Sequence, residues 1–245
     1  MNINFIRIAK ISLAGTFVLL TAGCITADKR HIFADSPIAL AAIIVNNEIN
    51  WKGEEPSNPN MISRSVRRTM EENPDMGFRT TADVFMDDIE SVIKSTLEVS
   101  PSITFASREK ILNSRAYREA RVNSYHEKDA KASPAGFRFI NNRDKRYPAD
   151  SYAETGIKKY LYITLELTKE MASGFGKNGS CRVITEMNMV LKDETGKTLY
   201  SKSYDVYSRD VINVSNGIYS QQDLRRIILS SIQDVCYYFV DQIAY

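Results

Sequence analysis

The sequence predicts an α+β fold, in which a mixed, largely antiparallel sheet packs against amphipathic helices. Three alternating segments follow one another in the second half of the chain, as in antiparallel strands, and a long helical period comes after them. The first half contains a short apolar run and two helical periods. The composition, with 43% hydrophobic and 25% charged residues, is that of a packed globular protein.

The first residues have the parts of a secretory signal. Arg7 and Lys10 precede the apolar run Ile11–Ala22. This run has about a dozen residues, whereas a membrane-spanning helix needs about 20. We therefore expect residues 1–23 to be a signal peptide that is removed.

The signal ends in Leu20-Thr-Ala-Gly-Cys24, which resembles the lipobox of bacterial lipoprotein precursors. That family prefers Leu three positions before the cysteine, where this chain has Thr21. The resemblance implies a diacylglycerol on Cys24 and attachment by several acyl chains, since one chain alone binds a membrane only marginally. Ile25 follows, and by similarity to enterobacterial sorting the absence of Asp there implies the outer membrane, with the domain facing the periplasm. The alternative is an ordinary signal peptide cut near Ala22.

Removal of the signal leaves 222 of the 245 residues. This length fits a lipidated tether over residues 24–37 and a single domain over residues 38–245. The precursor has 32 basic and 30 acidic residues, and Arg7 and Lys10 leave with the signal, so the remainder is balanced. Such a balance predicts no nucleic-acid partner.

The predicted domain begins with a strand that is covered on both faces, because Ile38–Val45 is a continuous apolar run after Pro37. The elements predicted in the first half are a strand at 38–45, a short helix at 63–72, a helix at 82–99 capped by Thr80, a strand at 103–106 and a helix from Ser107 to Val122.

The second half begins with residues 123–148, which have no period and are predicted to be a long surface loop or partly disordered. The elements predicted after it are a short helix at 150–159, strands at 161–167, 181–191 and 198–206, and a last helix capped by Ser220. Gly174–Gly179 resembles a phosphate-binding loop, but no helix follows it, so we predict a flexible hairpin. Asp193–Gly196 predicts a second hairpin.

Ile103-Thr-Phe-Ala-Ser-Arg-Glu-Lys-Ile-Leu112 and Met189-Val-Leu-Lys-Asp-Glu-Thr-Gly-Lys-Thr-Leu199 form a strand-to-helix junction and a hairpin. They are similar to those of bacterial lipoproteins of the curli-secretion (CsgG-like) and penicillin-binding-protein-activator (LpoB-like) group, which shares a fold with the N-terminal domain of TolB. With the element order, the resemblance covers about residues 38–243 and implies an accessory role in the cell envelope. This chain has no evident pair of pore-forming hairpins, so we do not expect a channel.

No set of residues has the spacing of a catalytic or metal site. His31 and His126 lack a neighbour at ligand spacing. Asp87, Asp88 and Glu90 form the densest carboxylate cluster, but they lie on the polar side of a predicted helix, where we expect them to be solvated. We expect no cofactor, no metal and no enzymatic activity.

The two cysteines beyond Cys24 leave two interpretations open. Cys181 and Cys236 form a disulfide in a compartment that permits one, or they are two small buried hydrophobic residues.

The segment that we predict to contact a partner interleaves arginines with aromatic residues, both of which are favoured anchors at interfaces. The predicted contact residues are Phe137, Arg138, Phe139, Arg143 and Arg146. The expected partner of such a contact surface is an anionic envelope polymer or an envelope protein. The alternative interpretation is that the segment is a solvated loop without a partner.

The leading hypothesis is a membrane-anchored envelope lipoprotein with a non-enzymatic binding or assembly role, as an accessory factor of an envelope complex. One alternative is a hydrolase of envelope polymers, which needs a pocket with convergent perturbed residues. A second alternative is a self-assembling subunit of a secretion complex.

Overall fold

The computed structural model describes residues 31–53, 64–122 and 130–244. The signal peptide, Cys24 and His126 lie outside the described residues, so what the sequence predicts for them stays a prediction.

The described part of the chain combines β-strands with α-helices, as expected for an α+β fold. The strands are β1 Ile38–Asn46, β2 Met76–Gly77, β3 Lys131–Ala132, β4 Lys159–Phe175, β5 Asn178–Asp193, β6 Thr198–Tyr207, β7 Ile212–Val214 and β8 Tyr219–Ser220. The α-helices are α1 Arg64–Glu72, α2 Met86–Leu97, α3 Arg108–Leu112, α4 Arg115–Glu119, α5 Arg146–Thr155 and α6 Gln221–Ala244.

The main sheet has the strand order β3-β1-β4-β5-β6, and β7 pairs with β5 as well. β1 is parallel to β4, whereas the other pairs in this sheet are antiparallel. β2 and β8 form a separate antiparallel pair. The prediction of a mixed, largely antiparallel sheet is therefore confirmed.

The long β4–β5 hairpin forms the centre of the sheet: β1 pairs with β4, and β6 and β7 pair with β5. It pairs from Lys159 with Asp193 to Phe175 with Asn178. Near its turn Gly174 lies opposite Gly179, and both have positive φ angles. A side chain on Gly174 would lie 2.0 Å from the carbonyl oxygen of Asn178, so the turn requires glycine there. The hairpin predicted at 174–179 is thus present.

β1 is buried along its whole length, as predicted, because side chains from helices cover both of its faces. Ile38, Leu40, Ile43 and Val45 belong to the larger core, which contains residues of α2 and α6. Ala39, Ala41, Ala42 and Ile44 belong to a second core with residues of α3, α4 and α5. A register shift between Leu40 and Ala42 explains why the alternation changes in the middle of the strand.

α6 begins as the sequence predicts. The hydroxyl of Ser220 accepts a hydrogen bond from the backbone N–H of Asp223 at 3.0 Å, which satisfies one of the unpaired groups at a helix start. The predicted apolar stripe from Leu224 to Ile243 is buried, except for Tyr238, which is 49% exposed. Each fully buried Leu, Ile or Phe of this stripe contributes about 1.5–3 kcal/mol.

The single helix predicted after Ser107 is wrong. The hydroxyl of Ser107 caps α3 as predicted, but the chain then turns, and the hydroxyl of Ser114 accepts a hydrogen bond from the backbone N–H of Tyr117 to start α4. Asn113 and Ser114 favour caps over helix interiors, because their side chains compete for backbone hydrogen bonds.

Two further local predictions are wrong. Residues 103–106 do not form a strand, and Phe105 makes only an isolated bridge to Ile38. Thr80 does not cap α2, because its hydroxyl donates to the side chain of Gln221 at 2.7 Å instead. For Thr80, a distant residue competes successfully with the local pattern.

Some boundaries also differ from the prediction. Phe33, within the predicted tether, is 1% exposed and has ring contacts at 5.3 Å with Tyr200 and Phe239. α5 begins at Arg146 rather than at residue 150, and β4 continues to Phe175 rather than to residue 167. Among the described residues, no helix is long and apolar enough to cross a membrane.

Candidate interaction surface

The segment predicted to contact a partner packs against the domain along much of its length. Lys131–Ala132 pairs with the end of β1. The backbone N–H of Phe137 then donates to the carbonyl of Pro134 at 2.9 Å. Ile140 is 1% exposed and makes a bridge to Val122. Residues 130–145 are therefore irregular but packed, and the prediction of a surface loop is corrected for this part.

Phe137 and Phe139 are both half-buried, and they pack against different cores. Phe137 packs against the core that contains α2 and α6, and the guanidinium of Arg108 lies 5.4 Å from its ring centroid. Phe139 packs against the core that contains α3, α4 and α5. The two rings therefore fix the segment to the domain, which leaves only their exposed edges for a partner.

Arg138 is held by Tyr117. Its backbone N–H donates to the hydroxyl of Tyr117 at 2.9 Å, and its guanidinium donates to the carbonyl of Tyr117 at 3.5 Å. The Tyr117 hydroxyl donates in turn to the carbonyl of Ala41 in β1 at 3.3 Å. Burial raises the pKa of Tyr117 to about 12, so this hydroxyl stays protonated at neutral pH. Arg138 is thus half-buried and largely structural.

Arg143 and Arg146 are exposed and are available to a partner. Among the described residues, neither guanidinium lies within 4.0 Å of a carboxylate oxygen. Arg143 lines a cleft of about 290 Å³ beside Tyr162 and Thr164 of β4. Arg146 lines a second cleft, of about 580 Å³, beside Arg115 and Arg121. Of the five predicted contact residues, only these two have exposed side chains that a partner can reach.

A third cleft, of about 620 Å³, separates the turn at 141–145 from the hairpin between β5 and β6. Arg143 and Lys145 line it from the turn, and Lys192 and Lys197 line it from the hairpin. The two walls touch at Gly196, where a side chain would lie 2.8 Å from the Cα atom of Lys145. Gly196 has a φ of +78°, so this contact and the backbone both require glycine.

Lys145 belongs to the predicted contact segment, whereas Lys192 and Lys197 of this third cleft were not predicted from the sequence. Lys145 is about fifty residues before Lys192 and Lys197, so no local spacing joins them. The Asp193–Gly196 turn was predicted as a hairpin, and the turn at 141–145 was predicted as part of a loop. Only the fold brings the two turns together.

The carboxylate cluster on α2 is not uniformly solvated, and that expectation is wrong for Glu90. Glu90 is 8% exposed, and its carboxylate accepts from the guanidinium of Arg108 at 3.1 Å. Asp88 pairs with Arg225, and Asp87 accepts from the backbone N–H of Ala135 at 3.4 Å. Each carboxylate therefore has a different structural partner, because α2 packs beneath the 132–140 segment and beside α6.

His31 is exposed at the beginning of the described residues. Among these residues, no group of three or more His, Cys, Asp and Glu side chains is arranged to hold a metal ion.

Cys181 and Cys236 are both buried, and both are free thiols in the structure. Of the two interpretations left open by the sequence, the structure has the packed pair and not the disulfide. Cys181 belongs to the core face of β5 and Cys236 to the buried side of α6. Burial raises the pKa of Cys181 to about 11 and that of Cys236 to about 12. Neither thiol is an activated nucleophile, which would need a lowered pKa.

A buried lysine also went unpredicted. Lys169 is 1% exposed, and its ammonium lies 5.4 Å from the ring centroid of Trp51 and 4.6 Å from that of Tyr219. The sequence did contain a signal, because Lys169 continues the alternation of Leu161, Ile163, Leu165 and Leu167 towards the core. The prediction ended the strand at residue 167 and missed it.

No family model matches the sequence, and no curated protein matches it. The structure is similar to the C-terminal domain of LpoB from Salmonella enterica, with a TM-score of 0.26 and 11% identity over 71% of this chain and 83% of that one. It is also similar to a hypothetical protein from Chlamydia trachomatis, with a TM-score of 0.34 and 7% identity over 86% of this chain and 94% of that one. Both are weak likenesses, and neither assigns the chain to a family.

Proposed function

We propose that the chain is an envelope lipoprotein, anchored through Cys24, which docks a partner of the envelope through the surface around Arg143 and Arg146 and does not act as an enzyme. The anchor rests on the lipobox resemblance at Leu20–Cys24. The placement in the outer membrane rests on Ile25 and belongs to the same proposal.

The observation that carries the docking role is the state of the two arginines. They are exposed and without an ion pair among the described residues, and they border clefts on a backbone that is already fixed. The half-buried rings of Phe137 and Phe139 hold that backbone in place. Arginines on such a preorganised surface bind partners at a low entropic cost.

The test is photocrosslinking in cells, with a photoreactive amino acid at position 141 or 142, next to Arg143. We expect a discrete crosslinked product that the double variant Arg143→Ala/Arg146→Ala weakens strongly, because interface arginines often contribute more than about 1 kcal/mol each. The matched control is Arg118→Ala/Lys158→Ala, which removes two exposed cations elsewhere. Equal crosslinking in the wild type and the double variant would overturn the docking role.

A second arm separates docking from catalysis. Single changes at Asp87, Asp88 or His126 are expected to leave the cellular phenotype unchanged, since the proposal gives none of them a chemical role. Loss of the phenotype by one of these changes, in a protein that stays folded, would favour the hydrolase alternative.

A further inference from the structure

The cleft between the 141–145 turn and the β5–β6 hairpin has an unusual charge. Four cationic side chains line it, namely Arg143, Lys145, Lys192 and Lys197, and no carboxylate of the described residues does. We call it the basic cleft. It lies beside Arg143, on the surface proposed above for docking, so its ligand bears on the nature of the partner.

The cations of the basic cleft are not neutralised by ion pairs. Among the described residues, none of the four has a carboxylate oxygen within 4.0 Å. Asp144 and Asp193 are the acids that act electrostatically on Lys192, and both accept hydrogen bonds from the backbone. Asp144 accepts from the N–H of Arg146 at 2.9 Å.

Asp193 is more fully engaged than Asp144. Its Oδ1 accepts from the N–H and the hydroxyl of Thr195 at 2.9 and 2.7 Å and from the N–H of Lys197 at 2.9 Å. Partial burial works to raise the pKa of Asp193, but these hydrogen bonds outweigh it, so the pKa is lowered from its ordinary value. The carboxylate therefore stabilises the turn, and the ammonium groups around it have no counter-ion among the described residues.

Lys192 is the least exposed cation of the cleft. The residue is 5% exposed, and burial lowers its pKa, as does the positive charge of Lys145, while Asp144 and Asp193 act in the opposite direction. Most of the Lys192 side chain is therefore buried, while its ammonium has no carboxylate within ion-pair distance among the described residues. An anion in the basic cleft would supply the missing partner to Lys192 and to the three cations around it.

We propose that the basic cleft binds a phosphate-type anion that carries at least two negative charges, such as a diphosphate. Four cations suit such a group better than a single carboxylate, and the hydroxyls of Thr198 and Ser201 also line the cleft and can donate to its oxygens. The same chemistry is presented by a diphosphate in solution and by the headgroups of an anionic phospholipid surface. The proposal deepens the docking function, because it makes the feature recognised near Arg143 an anionic one.

The test uses the full chain purified in a mild non-ionic detergent at low ionic strength, where electrostatic binding is least screened. Binding is measured by calorimetric titration with sodium diphosphate. Flotation with vesicles of phosphatidylglycerol is measured separately on an unlipidated form that lacks residues 1–24, because the lipid anchor would otherwise attach every variant to the vesicles. The pocket variant is Arg143→Gln/Lys145→Gln/Lys197→Gln, in which all three positions are exposed. The control is Lys110→Gln/Arg118→Gln/Lys158→Gln, which removes the same charge at exposed positions outside the cleft.

We expect saturable binding of diphosphate that the pocket variant weakens by at least about tenfold and the control by less than about twofold. A further variant, Lys192→Gln, is expected to weaken binding as well. Vesicle flotation that follows the same order of variants identifies headgroups as the source, whereas binding of diphosphate alone identifies a soluble ligand. Tricarballylate serves as the carboxylate comparison and is expected to bind more weakly.

The inference is overturned if diphosphate shows no saturable binding, or if the pocket variant and the control lose the same amount, which would indicate only the general charge of the surface. Failure here with crosslinking near Arg143 intact would leave the docking function standing and make its partner non-anionic. Failure of the crosslinking with diphosphate binding intact would remove the docking function and keep the anion site.

Discussion

The ammonium of Lys169 donates a hydrogen bond of 2.6 Å to the hydroxyl of Tyr219, and both side chains are buried. The Tyr219 hydroxyl is 3.2 Å from that of Thr80, which donates in turn to Gln221 at 2.7 Å. These contacts join the end of β4 to β8, to the start of α6 and to the segment before α2. Burial raises the pKa of Tyr219 above its ordinary value, so its hydroxyl remains protonated.

Replacement of Tyr219 by Phe is expected to lower the free energy of unfolding by about 1–3 kcal/mol, because it removes an acceptor from a buried ammonium. Urea unfolding is measured by fluorescence of Trp51, the single tryptophan of the chain, whose ring is 6.4 Å from that of Tyr219. Tyr237→Phe, at an exposed tyrosine of α6, is the control and should change little. Equal effects of the two changes would contradict the prediction.

The Glu90–Arg108 pair is expected to stabilise the protein more than a surface pair. Arg108→Gln leaves the carboxylate of Glu90 buried without its cation, and the guanidinium also donates to the carbonyl of Ala135. We expect a loss of about 1–3 kcal/mol. The same change at Arg115, which pairs with Glu119 on the exposed side of α4, should cost much less, because solvent screens an exposed pair. Chemical denaturation of both variants gives the comparison, and a smaller loss for Arg108→Gln would reverse this ranking.

From the burial of the two thiols we predict how the free energy of unfolding depends on pH in the alkaline range. Burial raises the pKa of Cys236 to about 12 and that of Cys181 to about 11, whereas an unfolded thiol has a pKa of about 8.5. A pKa that is raised in the folded state gives stability that is complete below the unfolded value and declines as pH rises above it. The wild type should therefore lose stability between about pH 8.5 and pH 11, and Cys236→Ala should lose less over the same range. Parallel pH profiles for the two proteins would count against this assignment.

Because both thiols are free and buried, we also predict how they react with an alkylating reagent. In native protein without reductant, the peptides that contain Cys181 and Cys236 should remain unmodified by iodoacetamide at neutral pH, because the thiols are inaccessible and protonated. In guanidinium chloride, still without reductant, both should be modified fully. Mass spectrometry of the peptides reports this directly, and protection in the denatured sample would instead reveal a disulfide.

The lipid anchor gives the last prediction. Cys24→Ser should abolish labelling by radioactive palmitate and move the protein from the membrane to the soluble fraction, because the acyl chains provide the membrane affinity. Cys181→Ser is the matched control for the loss of a thiol, and it should leave labelling and membrane fractionation unchanged. Unchanged fractionation of the Cys24→Ser protein would contradict the anchor.

The elements that could be predicted from the sequence are those whose buried residues recur at a regular spacing along the chain. β1 was recognisable because both faces of the strand are covered, and α6 because its stripe recurs at helical spacing and Ser220 caps it. The break at Ser114 was missed, since a capping hydrogen bond within a helical pattern changes only one or two residues. Local rules therefore predicted long, regular elements such as β1 and α6, but not a break that a single cap produces.

The candidate surface was predicted only in part, and the reason is the range of its contacts. Arginines and aromatic residues indicated the segment that contains the exposed Arg143 and Arg146, but the packing of Phe137 and Phe139 against two cores depends on elements far away in the chain. Burial of Glu90 likewise depends on Arg108, and the basic cleft depends on a contact between Lys145 and Gly196. Sequence spacing carries no information on such pairs, because the fold has to form before they meet.

The wholly buried β1 has a consequence for the order in which the chain is made. Its main partner, β4, follows about a hundred residues later, so β1 stays unpaired until that part of the chain has followed it and can fold with it. Ile38–Val45 contains no charge, and such an apolar segment of high β-propensity pairs readily with copies of itself. We therefore expect changes that weaken β4 to reduce the yield of the newly made protein by aggregation, even where the finished fold tolerates them.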